Sequence, residues 1–210
     1  MLKHVAEGMT TLDLRPLVLD DETLDLLFRE ARTANSFSPD PVSDDQLQAI
    51  YDLVKYGPTL MNAQPLRIVA IRSAEAKERL LPHMAEGNRA KTASAPVTLV
   101  LGYDVDFHEQ LPVTFPHLPE AKDRFADEGA RHAVGRDNAF LQIGYLILAI
   151  RAAGLAAGPM GGFDRDGVDA EFFADGRTKS VLTVNVGHPG DNPWFDRLPR
   201  LDYGQVVTEL

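Results

Sequence analysis

Cysteine is absent from the 210 residues of the chain. Disulfide bonds, thiolate nucleophiles and metal sites with cysteine ligands are therefore excluded. The chain also lacks the G-x-G-x-x-G and G-x-x-x-x-G-K-[ST] sequences of nucleotide sites, and the G-x-S-x-G sequence that presents a catalytic serine. Its six histidines form no H-E-x-x-H pair, so no metal site is expected. An enzyme of this composition needs paired carboxylates or a bound cofactor.

Positive charge is scarce, because 21 Lys and Arg residues stand against 31 Asp and Glu residues and give a net charge of −10. This field repels nucleic acid and anionic membranes, so we expect neither as a partner. The most apolar stretch, residues 139–158, is interrupted by Gln142 and Arg151, and its uninterrupted run is too short to span a bilayer. The N-terminal residues lack the apolar segment of a signal peptide, so we expect a cytoplasmic protein.

Hydrophobic periodicity predicts helices around a few strands. Ser43 and Gln46 form a capping box at the start of one helix. The order shows no steady βαβ alternation, which is typical of an α+β domain. We expect an N-terminal arm over residues 1–20 and a single domain with a C-terminal tail over residues 21–210. The predicted helices are 21–32, 43–57, 74–84, 129–155 and 164–173; the predicted strands are 67–73, 95–104 and 180–189; and short helices or irregular structure are predicted over 106–129.

The loop GPTLMNAQP, residues 57–65, follows a helix and precedes a strand. Pro58 and Pro65 stiffen the loop and withhold two amide donors. Asn62 and Gln64 can therefore present their side-chain amides to a flat polar ligand. The alternative is a connector whose amides bind its own backbone.

Two further segments can contact a ligand. In GPMGGF, residues 158–163, three glycines allow the backbone to approach a ligand closely, although such a cluster is also typical of a simple turn. RTAN, residues 32–35, combines a cation, a hydroxyl and an amide, which suit a phosphate or a polyol. The alternative for RTAN is a helix C-cap.

Read in chain order, five sequences resemble the nitroreductase family of flavoproteins: RTANSF, GPTLMNAQP, GNRAKTASAPV, GPMGGFD and RLPRLDY. The resemblance runs from about Arg29 to Val207. It implies an α+β, nitroreductase-like fold with a central, mostly antiparallel sheet surrounded by helices. It also implies FMN bound at the interface of an intertwined homodimer, reduction by NADH or NADPH, and transfer to a small-molecule substrate.

The resemblance also implies roles for individual residues. Arg32 and Thr33 resemble the residues that hold the FMN phosphate and ribityl chain, and Asn88 resembles the amide at the pyrimidine edge. The backbone amides of Gly161 and Gly162 match the place that faces flavin N5 and O4, so N5 carries the hydride and no catalytic side chain is expected. The remaining implied contacts are the loop residues Pro58, Thr59, Asn62 and Gln64, which reach the partner's flavin, together with Asn35, Pro159, Met160, Arg197 and Arg200, of which Arg200 matches the phosphate arginine.

Three residues depart from the common family pattern. Asn35 stands where many relatives have Lys or Arg beside flavin N1 and O2, which motivates the alternative of a flavin-binding protein without turnover. Leu66 and Gly161 replace a frequent aromatic and a frequent acidic residue, and these two changes fit one branch of the family. The sequences FPH, GPMGGFD and RLPRL resemble the branch of malonic semialdehyde reductase, which implies reduction of that aldehyde to 3-hydroxypropionate. The alternatives are a broad nitro or quinone reductase, a flavin-binding protein without turnover, and a scaffold without cofactor. Three cations are candidates for binding a substrate carboxylate: Arg67, Arg89 and Lys91.

Overall fold

The structure is a computed structural model whose described residues are 17–210. These residues fall into two compact units, 17–31 and Arg32–Leu210. The predicted N-terminal arm lies outside the described residues as far as residue 16. The single domain over residues 21–210 remains a prediction.

The first unit contains a short helix, α1 (Asp21–Leu24), that continues as a π-helical turn over Asp25–Arg29. Asp20 caps this helix, because its carboxylate accepts a hydrogen bond from the Thr23 amide. The helical segment predicted over residues 21–32 is therefore present but ends at Arg29.

The second unit is built on one antiparallel sheet of four strands. The strands are β1 (Leu66–Ile71), β2 (Val97–Asp104), β3 (Ala156–Met160) and β4 (Thr178–Gly187). The α-helices are α2 (Asp44–Val54), α3 (Ala74–Leu80), α4 (Glu86–Ser94), α5 (Leu111–Thr114), α6 (Glu128–Ala152), α7 (Arg165–Phe172) and α8 (Tyr203–Val206). Short 3-10 helices cover Leu60–Asn62, Leu81–His83, Phe107–Gln110 and Pro119–Phe125.

The strands lie in the order β1-β2-β4-β3, so β1 and β3 are the outer strands. The interpretation of GPMGGF as a loop is wrong in part, because the first three residues of this sequence belong to β3. Gly158 is required there because a Cβ would lie 2.8 Å from the Ala34 carbonyl oxygen. Pro159 is accommodated because an outer strand has one side without ladder partners.

The main core lies between the sheet and helices α2 and α6. Ile50 and Val54 of α2 pack with Ile143 and Ile150 of α6 and with the inner residues of β2 and β4. The predicted capping box at the start of α2 is confirmed, because Ser43 and Gln46 exchange both hydrogen bonds. The long apolar helix predicted over residues 129–155 is also confirmed as α6.

Short helices between β2 and α6 form a second cluster around Phe107, Leu111 and Phe125. This agrees with the prediction for residues 106–129. No helix within residues 17–210 is both long and apolar enough to cross a membrane. In the same residues, no three His, Cys, Asp or Glu side chains come together as metal ligands.

Candidate functional site

The outer edge of β3 carries the segment that contains Arg32. The Ala34 amide donates to the Ala157 carbonyl at 3.1 Å, which docks residues 32–35 along β3. Gly158 makes this close approach possible. The segment lies beyond the end of the π-helical turn at Arg29, so its interpretation as a helix C-cap is wrong.

The polar side chains of this segment lie at the surface of the unit. Arg32 is half-buried, and its guanidinium lies 3.4 Å from the Phe195 carbonyl of the C-terminal tail. Thr33 is exposed. The Asn35 amide donates to the Thr33 carbonyl at 3.3 Å, and the Asn35 backbone N–H donates to the Pro193 carbonyl at 2.9 Å. Asn35 is thus a neutral residue whose side chain holds the shape of its own segment.

Helix α4 and the end of β3 meet at Gly162. The Gly162 carbonyl accepts hydrogen bonds from the Asn88 side chain at 2.9 Å and from the Ala85 amide at 3.0 Å. A Cβ on Gly162 would lie 2.9 Å from the Asn88 side-chain nitrogen, so any other residue there would displace the Asn88 amide. Both Gly161 and Gly162 are exposed. The structure therefore brings Asn88 into contact with Gly162, next to Gly161, and the flavin contacts implied for these residues remain predictions.

Lys91 was assigned only as a candidate for substrate binding, yet its position in α4 associates it with Asn88. The two residues are three positions apart in a helix, so they share one face. Lys91 is half-buried. This shared face could have been inferred from the i, i+3 spacing in GNRAK only if a helix had been predicted there.

The C-terminal tail that follows β4 is exposed and carries both predicted phosphate arginines. Arg200 donates to the carbonyls of Leu198 and Pro199 at 2.8 and 3.2 Å, and so holds its own turn. Large apolar side chains of the tail are also exposed, including Phe195 and Leu198 at 74% and 73%. A tail with this composition is suited to packing against another surface.

The loop over residues 57–65 has a strained backbone. Met61, Asn62 and Gln64 have positive φ angles of 51°, 52° and 44°. For residues with a side chain this left-handed geometry costs about 1 kcal/mol or more each, so the surroundings must enforce it. Strained residues of this kind concentrate at binding and catalytic sites.

Hydrogen bonds to helix α5 and within the loop hold the two predicted amides of this loop. The Asn62 amide donates to the Thr114 carbonyl at 2.8 Å, and the Gln64 amide donates to the Asn62 side-chain oxygen at 2.9 Å. The Thr59 hydroxyl accepts from the Gln64 backbone N–H at 3.2 Å. The amides therefore stabilise the loop, as the connector interpretation stated, while Asn62 remains exposed.

A cavity of about 470 Å³ lies beside this loop and includes Gln64 and Arg67 in its wall. The Arg67 guanidinium donates to buried Asp104 at 2.6 Å and to the carbonyls of Leu66 and Gln64 at 2.9 and 3.1 Å. Arg67 is therefore engaged in a structural ion pair. Of the three candidate cations for a substrate carboxylate, Arg67 is the one that pairs with a buried carboxylate, that of Asp104.

Most of the predicted site residues form two groups at opposite edges of the sheet, while Arg197 and Arg200 lie on the C-terminal tail. One group, with Arg32, Asn88 and Gly161, lies along outer strand β3, and the other, residues 57–65, directly precedes outer strand β1. Three strand spacings of about 4.8 Å separate these edges by roughly 14 Å. Within one chain, Asn88 contacts Gly162 and residues 32–35 dock on β3, whereas the 57–65 loop leads into the strand at the opposite edge of the sheet.

An antiparallel sheet on a long central helix, with polar loops at both edges, defines an α+β protein. Solved structures share this fold. A nitroreductase family protein from Streptococcus pneumoniae aligns with a TM-score of 0.75 at 22% identity, covering 88% of this chain and 98% of its own. A nitroreductase-type chain from Exiguobacterium sibiricum, crystallised with FMN, aligns with a TM-score of 0.79 at 19% identity, covering 92% and 99%.

The chain belongs to the nitroreductase family, whose model matches residues 28–188. A relative from Streptomyces coelicolor is 58% identical over 195 residues, which are 92% of this chain and 99% of the relative. A second, from Streptomyces griseus, is 56% identical with the same coverage. Both carry the name "Putative NADH dehydrogenase/NAD(P)H nitroreductase". The predicted cofactor FMN and the predicted donor NAD(P)H agree with membership of this family.

Proposed function

We propose that the chain is an FMN-dependent NAD(P)H oxidoreductase whose flavin lies along the outer edge of β3. The donor set there fits FMN, because a cation and a hydroxyl at Arg32 and Thr33 suit the phosphate and ribityl chain. At the other end, Asn88 and the backbone of Gly161 and Gly162 suit the polar edge of the ring. When bound, the flavin accepts hydride at N5 and passes it to the acceptor. The backbone at Gly161 serves as a fixed donor beside the ring.

The observation that carries this proposal is the separation of the two groups to opposite edges of the sheet. We propose that a second copy of the chain brings its 57–65 loop to the β3 edge, so that each flavin is shared between two subunits. Exposed apolar side chains on α6, Phe140, Leu141 and Tyr145, would be covered in such a homodimer. Obligate interfaces of this kind commonly bury about 2,000 Å² or more.

Complementation tests the shared site. Arg32→Ala damages the β3 group and Asn62→Ala damages the loop group, so each variant alone should bind FMN weakly. When the two are co-expressed, heterodimers should contain one intact site, and about a quarter of all sites should bind FMN with parental affinity. If each site were formed within one chain, co-expression would restore none. FMN-loaded protein that sediments at monomer mass would also contradict the shared site.

Turnover distinguishes an enzyme from a protein that only binds flavin. The parent protein should be yellow after incubation with FMN, and NADH or NADPH should bleach it under anaerobic conditions. Protein that stays colourless would contradict both flavin proposals. Yellow protein that neither nucleotide bleaches would support the flavin-binding alternative, which was motivated by neutral Asn35.

For the substrate, we propose malonic semialdehyde, reduced to 3-hydroxypropionate, in a cytoplasmic protein. This proposal rests on the branch sequences FPH at 115–117, GPMGGFD and RLPRL. Because Arg67 is paired with Asp104, the candidates for the substrate carboxylate become Arg89 and Lys91. Arg89 is exposed, and its guanidinium donates to the Met84 carbonyl at 3.0 Å.

The alternative, a nitro or quinone reductase, is favoured by the names of the Streptomyces relatives. Anaerobic stopped-flow reoxidation of the reduced protein decides between the two. Rapid reoxidation by malonic semialdehyde with slow reoxidation by nitroaromatics and quinones supports the aldehyde substrate. The reverse order would refute it and establish the alternative.

A further inference from the structure

The peptide unit that joins Met160 to Gly161 lies where β3 ends. A trans peptide is planar, so its carbonyl and its N–H point in opposite directions. The direction of the Met160 carbonyl therefore fixes the direction of the Gly161 N–H. This N–H is the donor that the proposed function places beside the flavin.

Neighbouring backbone contacts reveal this direction. The Ala157 carbonyl accepts from the Ala34 amide, so it points away from β4 and off the outer edge of β3. Carbonyls along a strand alternate in direction, so the carbonyl of Met160, three residues later, points towards β4. The Gly161 N–H consequently points off the outer edge, on the side where residues 32–35 dock.

Thr183 holds this peptide unit from the β4 side. It lies opposite Met160 in the strand register, and its side chain is fully buried. Its hydroxyl donates to the Met160 carbonyl at 3.2 Å. Because the Met160 carbonyl points towards its register partner, the two residues form a hydrogen-bonded pair, and the carbonyl also accepts from the Thr183 backbone N–H. Met160 is the last residue of β3, so no pairing beyond it adds to these two donors. The hydroxyl supplies a side-chain donor at the point where the ladder stops.

The side chain of Met160 is held in the same buried region. Its sulfur lies 3.8 Å from the Thr92 hydroxyl and 3.9 Å from the Asn185 amide nitrogen. Thr92 and Asn185 are both fully buried. These contacts fix the side chain, whereas the Thr183 hydroxyl acts on the carbonyl and hence on the Gly161 N–H.

We propose that Thr183 is a positioning residue, whose hydroxyl holds the Gly161 N–H in the orientation that donates to the reactive edge of the flavin ring. The proposal rests on the FMN function proposed above. A fixed N–H needs no reorganisation during hydride transfer, so its contribution to the rate depends on how precisely it is oriented. Thr183 touches neither substrate nor flavin in this assignment and acts only through the peptide unit.

The first test measures the orientation of the Gly161 N–H bond directly, in protein without flavin. Thr183→Val removes the hydroxyl at similar size, Thr183→Ser retains it, and Thr178→Val is a matched control in the same strand. Residual dipolar couplings measured by NMR report the orientation of the Gly161 N–H bond in each protein. We expect the coupling to change in Thr183→Val and to match the parent in Thr183→Ser and Thr178→Val. An unchanged coupling in a folded Thr183→Val would overturn the proposal, because strand pairing alone would then hold the peptide.

The second test asks whether the orientation of the Gly161 N–H affects the bound flavin. With FMN labelled with ¹⁵N at N5, we expect the N5 resonance of the Thr183→Val complex to shift away from that of the parent, and that of Thr183→Ser to coincide with it. FMN affinity should change less than about threefold, because the phosphate end is untouched, while reduction by NAD(P)H should slow by about tenfold. An N5 resonance identical to that of the parent in Thr183→Val would overturn the role in flavin positioning. Failure of the parent to bind FMN would instead contradict the proposed function, and the coupling experiment would still decide whether Thr183 orients the peptide.

Discussion

Asp104, at the end of β2, holds a buried carboxylate that joins three parts of the sheet. Its side chain is 2% exposed. One carboxylate oxygen accepts from Arg67 of β1 at 2.6 Å, and the other accepts from Arg177, next to β4, at 3.0 Å and from the Asp106 amide at 2.8 Å. The adjacent carboxylate also raises the pKa of the Arg177 guanidinium, so this cation stays charged. We therefore predict that Asp104→Asn strongly destabilises the protein.

The size of this destabilisation follows from the number of hydrogen bonds that Asp104 accepts and from the exposure of its partners. Hydrogen bonds to a charged group are worth about 1.5–3 kcal/mol each, and an unpaired buried group adds to the loss. The Arg67 and Arg177 side chains are 38% and 43% exposed, so water compensates part of the loss on the cation side. We expect the free energy of unfolding to fall by about 3 kcal/mol. For a protein of this size, the melting temperature should fall by about 6–12 °C.

Urea unfolding at pH 7, followed by circular dichroism, measures this loss. Asp52→Asn is the matched control, because Asp52 forms an exposed ion pair with Lys55, and it should unfold at the same urea concentration as the parent. Asp104→Asn with the stability of the control would refute the reasoning. Arg67→Met tests the same centre and should lose stability without a change in acceptor preference. An Arg67→Met protein of parental stability that no longer reduces carboxylate-bearing aldehydes would make Arg67 the substrate cation.

Three further predictions concern binding of the FMN phosphate, the loss of stability at alkaline pH, and a hydrogen bond between buried polar residues. Arg200→Ala should weaken FMN binding about ten- to hundredfold and more than Arg197→Ala, as measured by fluorescence titration, and equal affinity with the parent would place the phosphate elsewhere. Burial raises the pKa of Tyr103 above its ordinary value of 10.0, so the unfolded chain loses this proton first. This contribution to the free energy of unfolding is present below pH 10 and lost above it. Between pH 9 and 11, the free energy of unfolding measured in urea should therefore fall less for Tyr103→Phe than for the parent. Parallel plots of unfolding free energy against pH would contradict this. Thr98→Val removes the 2.7 Å hydrogen bond to the buried Asn185 oxygen and should lower the free energy of unfolding by about 1–3 kcal/mol, whereas parental stability would show that the oxygen finds another donor.

Most of the longer helices and the strands β1, β2 and β4 could be predicted because their signals are local, but helix α4 was not predicted. The capping box at Ser43 and the apolar length of α6 are visible in the sequence, and both appear in the structure. β3 was missed because it is five residues long and contains Gly158 and Pro159, which are typical of turns. Its strand conformation depends on pairing with β4 and on the docked Ala34, which are contacts distant in sequence.

The sequence named candidate site residues but not their arrangement. It implied separate flavin contacts for Asn88 and for the 158–163 segment, and the structure adds that Asn88 donates to the Gly162 carbonyl. It gave no indication that Arg67 pairs with Asp104, because residues 37 positions apart meet only through the register of β1 and β2. The role of Thr183 likewise depends on the register of β4 with β3.

The 57–65 loop shows why its conformation could not be derived from its own residues. Asn138 and Gln142 lie four positions apart on α6, so they share one face of the helix. The Asn138 side-chain oxygen accepts from the Leu60 amide at 2.7 Å, and that of Gln142 accepts from the Leu66 amide at 3.0 Å. Buried polar side chains are costly unless they are hydrogen-bonded, and these two are satisfied by the start and the end of the strained turn. The helix that forms the core therefore also imposes the left-handed residues between these two points, such as Met61.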